Sequence, residues 1–159
     1  MLNSVKTKIK EVLLVEDDPI AQLVTKSMLE KFNCVVTIAE NGKDALETIS
    51  HNHYQLILLD LNLPDSSGIE ISLAIQEKQQ QLQQSENLPT IIALTAHTNA
   101  AMRQKCLNAG MQDMLSKPVS LVKVGQLLNS CVCAFETKPN VASNPVASKP
   151  VAASFSLRF

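Results

Sequence analysis

Residues 55–60 read QLILLD. Leu56, Ile57, Leu58 and Leu59 form a continuous apolar run that ends on an acid, the form of a strand covered on both faces. Four further runs lie on either side of it: 11–16 (EVLLVE), 34–39 (CVVTIA), 90–95 (TIIALT) and 113–116 (DMLS). Helical patterns separate them, so the chain reads as an α/β protein with a parallel sheet. The runs at 11–16, 55–60 and 90–95 are the most continuous and belong in its centre.

The helices carry their own start and stop signals. Pro19 suits a first helical turn with Asp18 as its N-cap, and Ile20, Leu23, Val24, Met28 and Phe32 are expected to face the sheet. Asn41-Gly42 opens a second helix with Ala45, Leu46 and Ile49 inward. Ser66 or Ser67 precedes a third, where Ile69, Leu73 and Ile75 give way to a solvated glutamine-rich end over 76–84. A fourth spans 100–109 and stops at Gly110, suited to a left-handed cap. The fifth presents Leu121, Val124, Leu128, Cys131 and Phe135 as one stripe.

The 159 residues suffice for one compact domain. A first segment, 1–9, holds Lys6 and Lys8 with no apolar stretch behind it. The folded unit is expected over 10–136. Beyond it, VASNP, VASKP and VAASF repeat loosely through 141–155, and their prolines predict an extended tail or linker over 137–159. A formal net charge of -1 offers no broad positive field for nucleic acid. No apolar run nears the roughly 18 residues that span a bilayer, so a cytoplasmic protein is expected. Cys34, Cys106, Cys131 and Cys133 form no CxxC pair and read as small hydrophobes rather than zinc ligands.

Chemistry gathers at the strand ends. Glu16, Asp17 and Asp18 follow the first strand and Asp60 closes the third. In a doubly wound sheet both positions share the crevice at the carboxyl edge, where the winding reverses. Two carboxylates about 4 Å apart repel by roughly 1 kcal/mol in water and about 4 kcal/mol at an effective dielectric of 20. A hard cation relieves that repulsion, and an oxygen-only set suits Mg²⁺. Thr95 with Ala96 ends the fourth strand and Ser116-Lys117-Pro118 the fifth, bringing a hydroxyl, backbone N–H groups and an ammonium to the opposite rim, where an anion would sit. The plainer alternative makes Asp18 only a cap, Thr95 a strand end and Lys117 a surface lysine.

VLLVEDD at 12–18, LILLD with LNLPDSSG at 56–68, ALTA at 93–96 and AGMQDMLSKP at 109–118 resemble the receiver domain of bacterial response regulators over about residues 10 to 135. ALTAHT, KCLNAGM and LSKP are most similar to receivers attached to hybrid histidine kinases. The resemblance implies a flavodoxin-like, doubly wound (βα)5 sheet of strand order 2-1-3-4-5. It implies that Asp60 accepts a phosphoryl group, that Asp17 and, mainly through water, Glu16 hold Mg²⁺ with Asp60, and that the Asn62 carbonyl completes the metal shell. Thr95 and Ala96 match the phosphate-contacting loop, Lys117 the family's lysine, and Lys117-Pro118 its cis peptide.

The donor implied is phosphohistidine on a sensor histidine kinase or a histidine phosphotransfer protein. Asn62 and His97 occupy positions that tune hydrolysis in the family. Nothing after Phe135 reads as a DNA-binding or catalytic domain, so output is expected through a separate downstream effector. One position departs: Met114 stands where the family usually has Tyr or Phe, which puts the aromatic part of its switch in question. Two rivals remain at this stage. One is a pseudo-receiver that binds partners without phosphorylation. The other is an Mg²⁺-dependent aspartyl-phosphate phosphatase of the haloacid dehalogenase type, which wants a second Asp where this chain has Asn62.

Overall fold

The computed structural model describes residues 9–81 and 88–136, the last five by backbone alone. The expected tail at 137–159, most of the first segment and the glutamine stretch beyond 81 lie outside the described residues. Five strands, β1 (Glu11–Val15), β2 (Val35–Ala39), β3 (Leu56–Asp60), β4 (Thr90–Thr95) and β5 (Asp113–Ser116), alternate with α1 (Pro19–Glu30), α2 (Gly42–His51), α3 (Gly68–Gln81), α4 (Ala100–Asn108) and α5 (Leu121–Glu136). The sheet is parallel throughout, in the order β2-β1-β3-β4-β5. β1, β3 and β4 are central, as their unbroken apolar runs require, and β2 is an exposed edge with Val35 55% accessible.

Strand parity divides the core into two layers. Val12, Leu14, Leu56, Leu58, Ile92, Leu94 and Leu115 meet Leu29 of α1 and Val124, Leu128 and Cys131 of α5. Leu13, Val15, Ile57, Leu59, Ile91 and Ala93 meet Ala45 of α2, Ile71 and Ile75 of α3 and Cys106 of α4. Ile9, which the sequence assigns to the leading segment, is wholly buried in the first layer. The three described cysteines are buried and unbridged, and burial pushes the Cys131 thiol up to about 11.

The helix signals behave as chemistry requires. Asp18 accepts the Ile20 N–H at 2.9 Å, Asn41 accepts that of Asp44 at 2.8 Å, and Ser67 exchanges hydrogen bonds with Glu70 at 3.2 Å in a capping box. Gly110, at φ 83°, ends α4 in a Schellman turn: its N–H donates to Leu107 and that of Met111 to Cys106, both at 3.0 Å. A Cβ there would also fall on the Gln76 side chain.

Two expected helix faces are corrected. α1 carries two apolar stripes, and the sheet takes the one through Thr25, Met28, Leu29 and Phe32, spaced as one helical face. Ile20, Leu23 and Val24 lie on the opposite side, 73%, 67% and 43% exposed. In α3 the inward positions are Ile71, Ser72 and Ile75, while Leu73 faces outward. Ser72 belongs in that face because its hydroxyl donates to the Ala109 carbonyl at 2.8 Å, which satisfies a buried polar group. Leu121 at the start of α5 is also exposed, and the Phe135 side chain lies outside the described residues.

Candidate phosphoacceptor crevice

Register carries the acids to one place. Val15 of β1 is level with Leu59 of β3, so the next residues, Glu16 and Asp60, end side by side. Asp60 is level with Leu94, and Thr95 with Ser116, which leaves Lys117 one step beyond the sheet edge. Glu16, Asp60 and Lys117 continue the parity of Leu14, Leu58 and Leu115, so all three approach from the α1–α5 side of the sheet. The backbone extends the ladder to hold them there: Glu16 N–H donates to Ala39 at 3.0 Å and Lys117 N–H to Thr95 at 2.8 Å.

The Lys117 ammonium lies between the two buried carboxylates, 2.8 Å from Glu16 Oε2 and 2.7 Å from Asp60 Oδ2. Each second oxygen is also occupied. Asp18 N–H reaches Glu16 Oε1 at 3.2 Å, and Asn62 N–H reaches Asp60 Oδ1 at 2.9 Å. Asp17 is exposed, and carboxylate oxygens of Glu16, Asp17 and Asp60 lie within 4.8 Å of one another. Three carboxylates facing one ammonium leave an excess of negative charge, the electrostatic condition for a divalent cation.

Burial pushes the Glu16 carboxyl above its ordinary 4.5, outweighing the Lys117 and Asp18 hydrogen bonds that favour its ionised form; the nearby Asp60 charge adds to the rise. For Lys117, burial opposes the charge, but hydrogen bonds and attraction from Asp60 and Glu16 prevail and hold the ammonium above 10.5. The two carboxylates thus favour the lysine as a cation, while burial works against the ionised form of Glu16.

On the other rim Thr95 is buried, whereas Ala96 and His97 are exposed. The Thr95 hydroxyl is engaged locally, accepting the His97 N–H at 3.1 Å and donating to the His97 carbonyl at 3.2 Å. Asn62 stands at the mouth, bridged to Ser67 across the base of the β3–α3 loop. Lys117-Pro118 is cis. Met114 is level with Ala93 and packs against the second core layer, which also takes Met102 of α4.

Every predicted site residue therefore stands at the carboxyl edge of the sheet, with Glu16, Asp17, Asp60 and Lys117 in direct convergence. Two supports were absent from the sequence reading. Gln22 donates its side-chain N–H to the Glu16 carbonyl at 2.6 Å, and Lys123 reaches the Ser116 hydroxyl at 2.5 Å. Their nearness in sequence to the acids and to Lys117 was the only available signal.

Comparison with known proteins agrees with this construction. The family model described as the response regulator receiver domain matches residues 12–129. The aerobic respiration control sensor protein ArcB of Escherichia coli K12 is 44% identical over 110 residues, covering 69% of this chain but only 14% of ArcB. The receiver domain of the sensor histidine kinase PA1611 from Pseudomonas aeruginosa, solved with a magnesium ion coordinated in its active site cleft, is 33% identical. It superposes with a TM-score of 0.67 over 78% of this chain and 98% of its own. The receiver domain of Saccharomyces cerevisiae Ssk1, solved with the histidine phosphotransfer protein Ypd1, is 30% identical with a TM-score of 0.74, over 83% and 94% of the two chains. A parallel sheet wound in this order, with acids and a lysine meeting at its reversal point and a family match across most of the length, shows that the chain belongs to the response regulator receiver domains of two-component and phosphorelay signalling.

Proposed function

We propose that Asp60 accepts a phosphoryl group from a phosphohistidine, with Mg²⁺ held by Asp17, Asp60 and the Asn62 carbonyl and, through water, by Glu16. The observation that carries this reading is the Lys117 ammonium shared by Glu16 and Asp60 beside an exposed Asp17. The donor set is all oxygen and in negative excess, which fits a hard divalent cation. When bound, Mg²⁺ would neutralise charge on the transferring phosphoryl oxygens.

The chain's own residues do the rest. One carboxylate oxygen of Asp60 forms the new O–P bond in line with the breaking P–N bond, and the histidine nitrogen leaves with the electron pair. Lys117 pairs with Asp60 Oδ2 beforehand and afterwards with a phosphoryl oxygen. Thr95 would exchange its bonds to His97 for one to the phosphoryl group, with the Ala96 N–H beside it. The dianion can then favour a second conformation only through such differential contacts. The product is an acyl phosphate that water can hydrolyse, with Asn62 and His97 at its edge, so no separate substrate is turned over.

The donor would be a histidine kinase or a histidine phosphotransfer protein, and the output a downstream effector protein. Supporting a protein donor, Ile20, Leu23 and Val24 of α1 and Leu121 and Val122 of α5 are exposed on the two helices that begin just after Asp18 and Lys117. Exposed apolar residues flanking a site are what a docking surface requires. We place the reaction in the cytoplasm. Among the described residues no helix is long and apolar enough to cross a membrane. Met114 keeps a second reading alive, a partner-binding module that works without phosphorylation. The phosphatase reading lacks its second acid at Asn62.

Incubation with acetyl phosphate and Mg²⁺ is expected to add one phosphoryl mass to the wild-type chain and none to Asp60→Asn. An unmodified wild type would favour the phosphorylation-independent module. Glu16 gives a second test. Because its folded pKa is raised, ionisation subtracts stability as pH rises from 4.5 through the raised value. Glu16→Gln should therefore raise the melting temperature at neutral pH in chelator, whereas Mg²⁺ at a hundred times its dissociation constant should add about 2.7 kcal/mol to wild type and less to the variant. Calorimetry showing a lower Glu16→Gln midpoint in chelator would contradict the charge balance. Finally, Leu23→Glu should slow transfer from a phosphohistidine protein several-fold while leaving acetyl phosphate labelling unchanged, and equal slowing of both would remove α1 from the docking surface.

A further inference from the structure

The loop between β3 and α3 is held at its base and at its tip by different means. At the base, Leu61 N–H donates to Leu94 and Gly68 N–H to Leu61, both at 3.1 Å, and Asn62 bridges Ser67. At the tip, Leu63 leans on the second core layer. The polar tie there runs to another helix. Asp65 Oδ1 accepts the Gly42 N–H at 2.9 Å, and Asp65 Oδ2 accepts the Lys43 N–H at 3.1 Å. The Ser66 hydroxyl donates to the same Oδ1 at 3.1 Å.

These are the first two N–H groups of α2, donors that a helix cannot satisfy internally. Asn41, the helix's own cap, takes the third, that of Asp44. The division of labour is uneven, because Asn41 serves only α2 whereas Asp65 links α2 to the phosphoacceptor loop. The approach leaves no room for a side chain at Gly42, where a Cβ would run into the Ser66 hydroxyl and to 2.7 Å from Ile71. The Gly42 N–H holds the Asp65 carboxyl below its ordinary 3.8, so the tie remains charged through the neutral range.

We propose that Asp65 is a positioning residue for the phosphoacceptor crevice: by tying the tip of the β3–α3 loop to the first turn of α2, it fixes the segment that carries Asn62 beside Asp60. The inference rests on the reading above, in which the Asn62 backbone completes the metal shell. Outer-shell groups of this kind orient the atoms that touch a metal, and their loss weakens affinity without removing a ligand.

The test uses the full chain and two readouts. In chelator, Asp65→Ala should speed hydrogen exchange at the Asn62 and Gly68 amides about tenfold while leaving the β1 and β4 amides unchanged. Titrated with Mg²⁺ alone, the variant should bind about tenfold more weakly, the lower end of the cost of losing an outer-shell partner. Asp65→Asn, which keeps one acceptor oxygen, should fall between. Asn41→Ala is the control: it removes the other cap of α2 and lowers stability, yet should leave loop exchange and Mg²⁺ affinity as in wild type. Wild-type loop exchange in Asp65→Ala, or equal losses in Asn41→Ala, would reduce Asp65 to a helix cap and overturn the proposal. A wild type that binds no Mg²⁺ would instead defeat the reading of the site, and the exchange measured in chelator would still decide the role of Asp65.

Discussion

Everything at the carboxyl edge depends on one ammonium group placed between two buried carboxylates. Glu16 and Asp60 end neighbouring parallel strands on the same side of the sheet, so the fold forces like charges together before any ligand arrives. Without Lys117 the crevice would hold two buried anions with only backbone N–H groups to offset their desolvation. With Lys117, 2.8 and 2.7 Å from the two, the acids stay in place, and exposed Asp17 still leaves the site short of positive charge. That negative excess is the electrostatic condition on which the proposed binding of a divalent cation rests.

Much of this was legible in the sequence because it follows from short-range rules. The continuous run from Leu56 to Leu59 identified a central strand, Asp18 was a recognisable cap, Asn41-Gly42 marked the opening of α2, and Gly110 marked the end of α4 by its left-handed turn. The strand-end acids, Thr95 and Lys117 were each identifiable as chemistry at a sheet edge. Their meeting was expected from the rule that sites form where a doubly wound sheet reverses, and the register that realises it, Val15 level with Leu59 and Asp60 with Leu94, is a property of the folded chain.

What was misread turns on choices made between elements. α1 has two apolar stripes, and hydrophobicity alone favours the one holding Ile20, Leu23 and Val24. The sheet instead takes the stripe that contains polar Thr25. Ser72 enters the core only because the Ala109 carbonyl, far along the chain, accepts its proton. Gln22 and Asp65 are polar residues with no pattern of their own. Gln22 gains its meaning from the carbonyl of Glu16 just before the start of its own helix, and Asp65 from an amide of α2 that only the folded chain brings near. The exposed stripe on α1 is the informative error: its apolar residues are left off the core beside the acidic crevice, the surface on which the proposed docking of a protein donor rests. Met114 is the other departure. It lies level with Ala93 among side chains of the second core layer, a flexible aliphatic group where the resemblance leads one to expect an aromatic ring.

The central claim is the charge state and placement of Lys117, and nuclear magnetic resonance of its side chain in isotopically labelled, metal-free protein tests it most directly. The account predicts that the ammonium titrates above 10.5 and that its pKa falls when either Asp60→Asn or Glu16→Gln removes one of its partners. A Lys117 that titrates at or below 10.5 and does not respond to either substitution would contradict it.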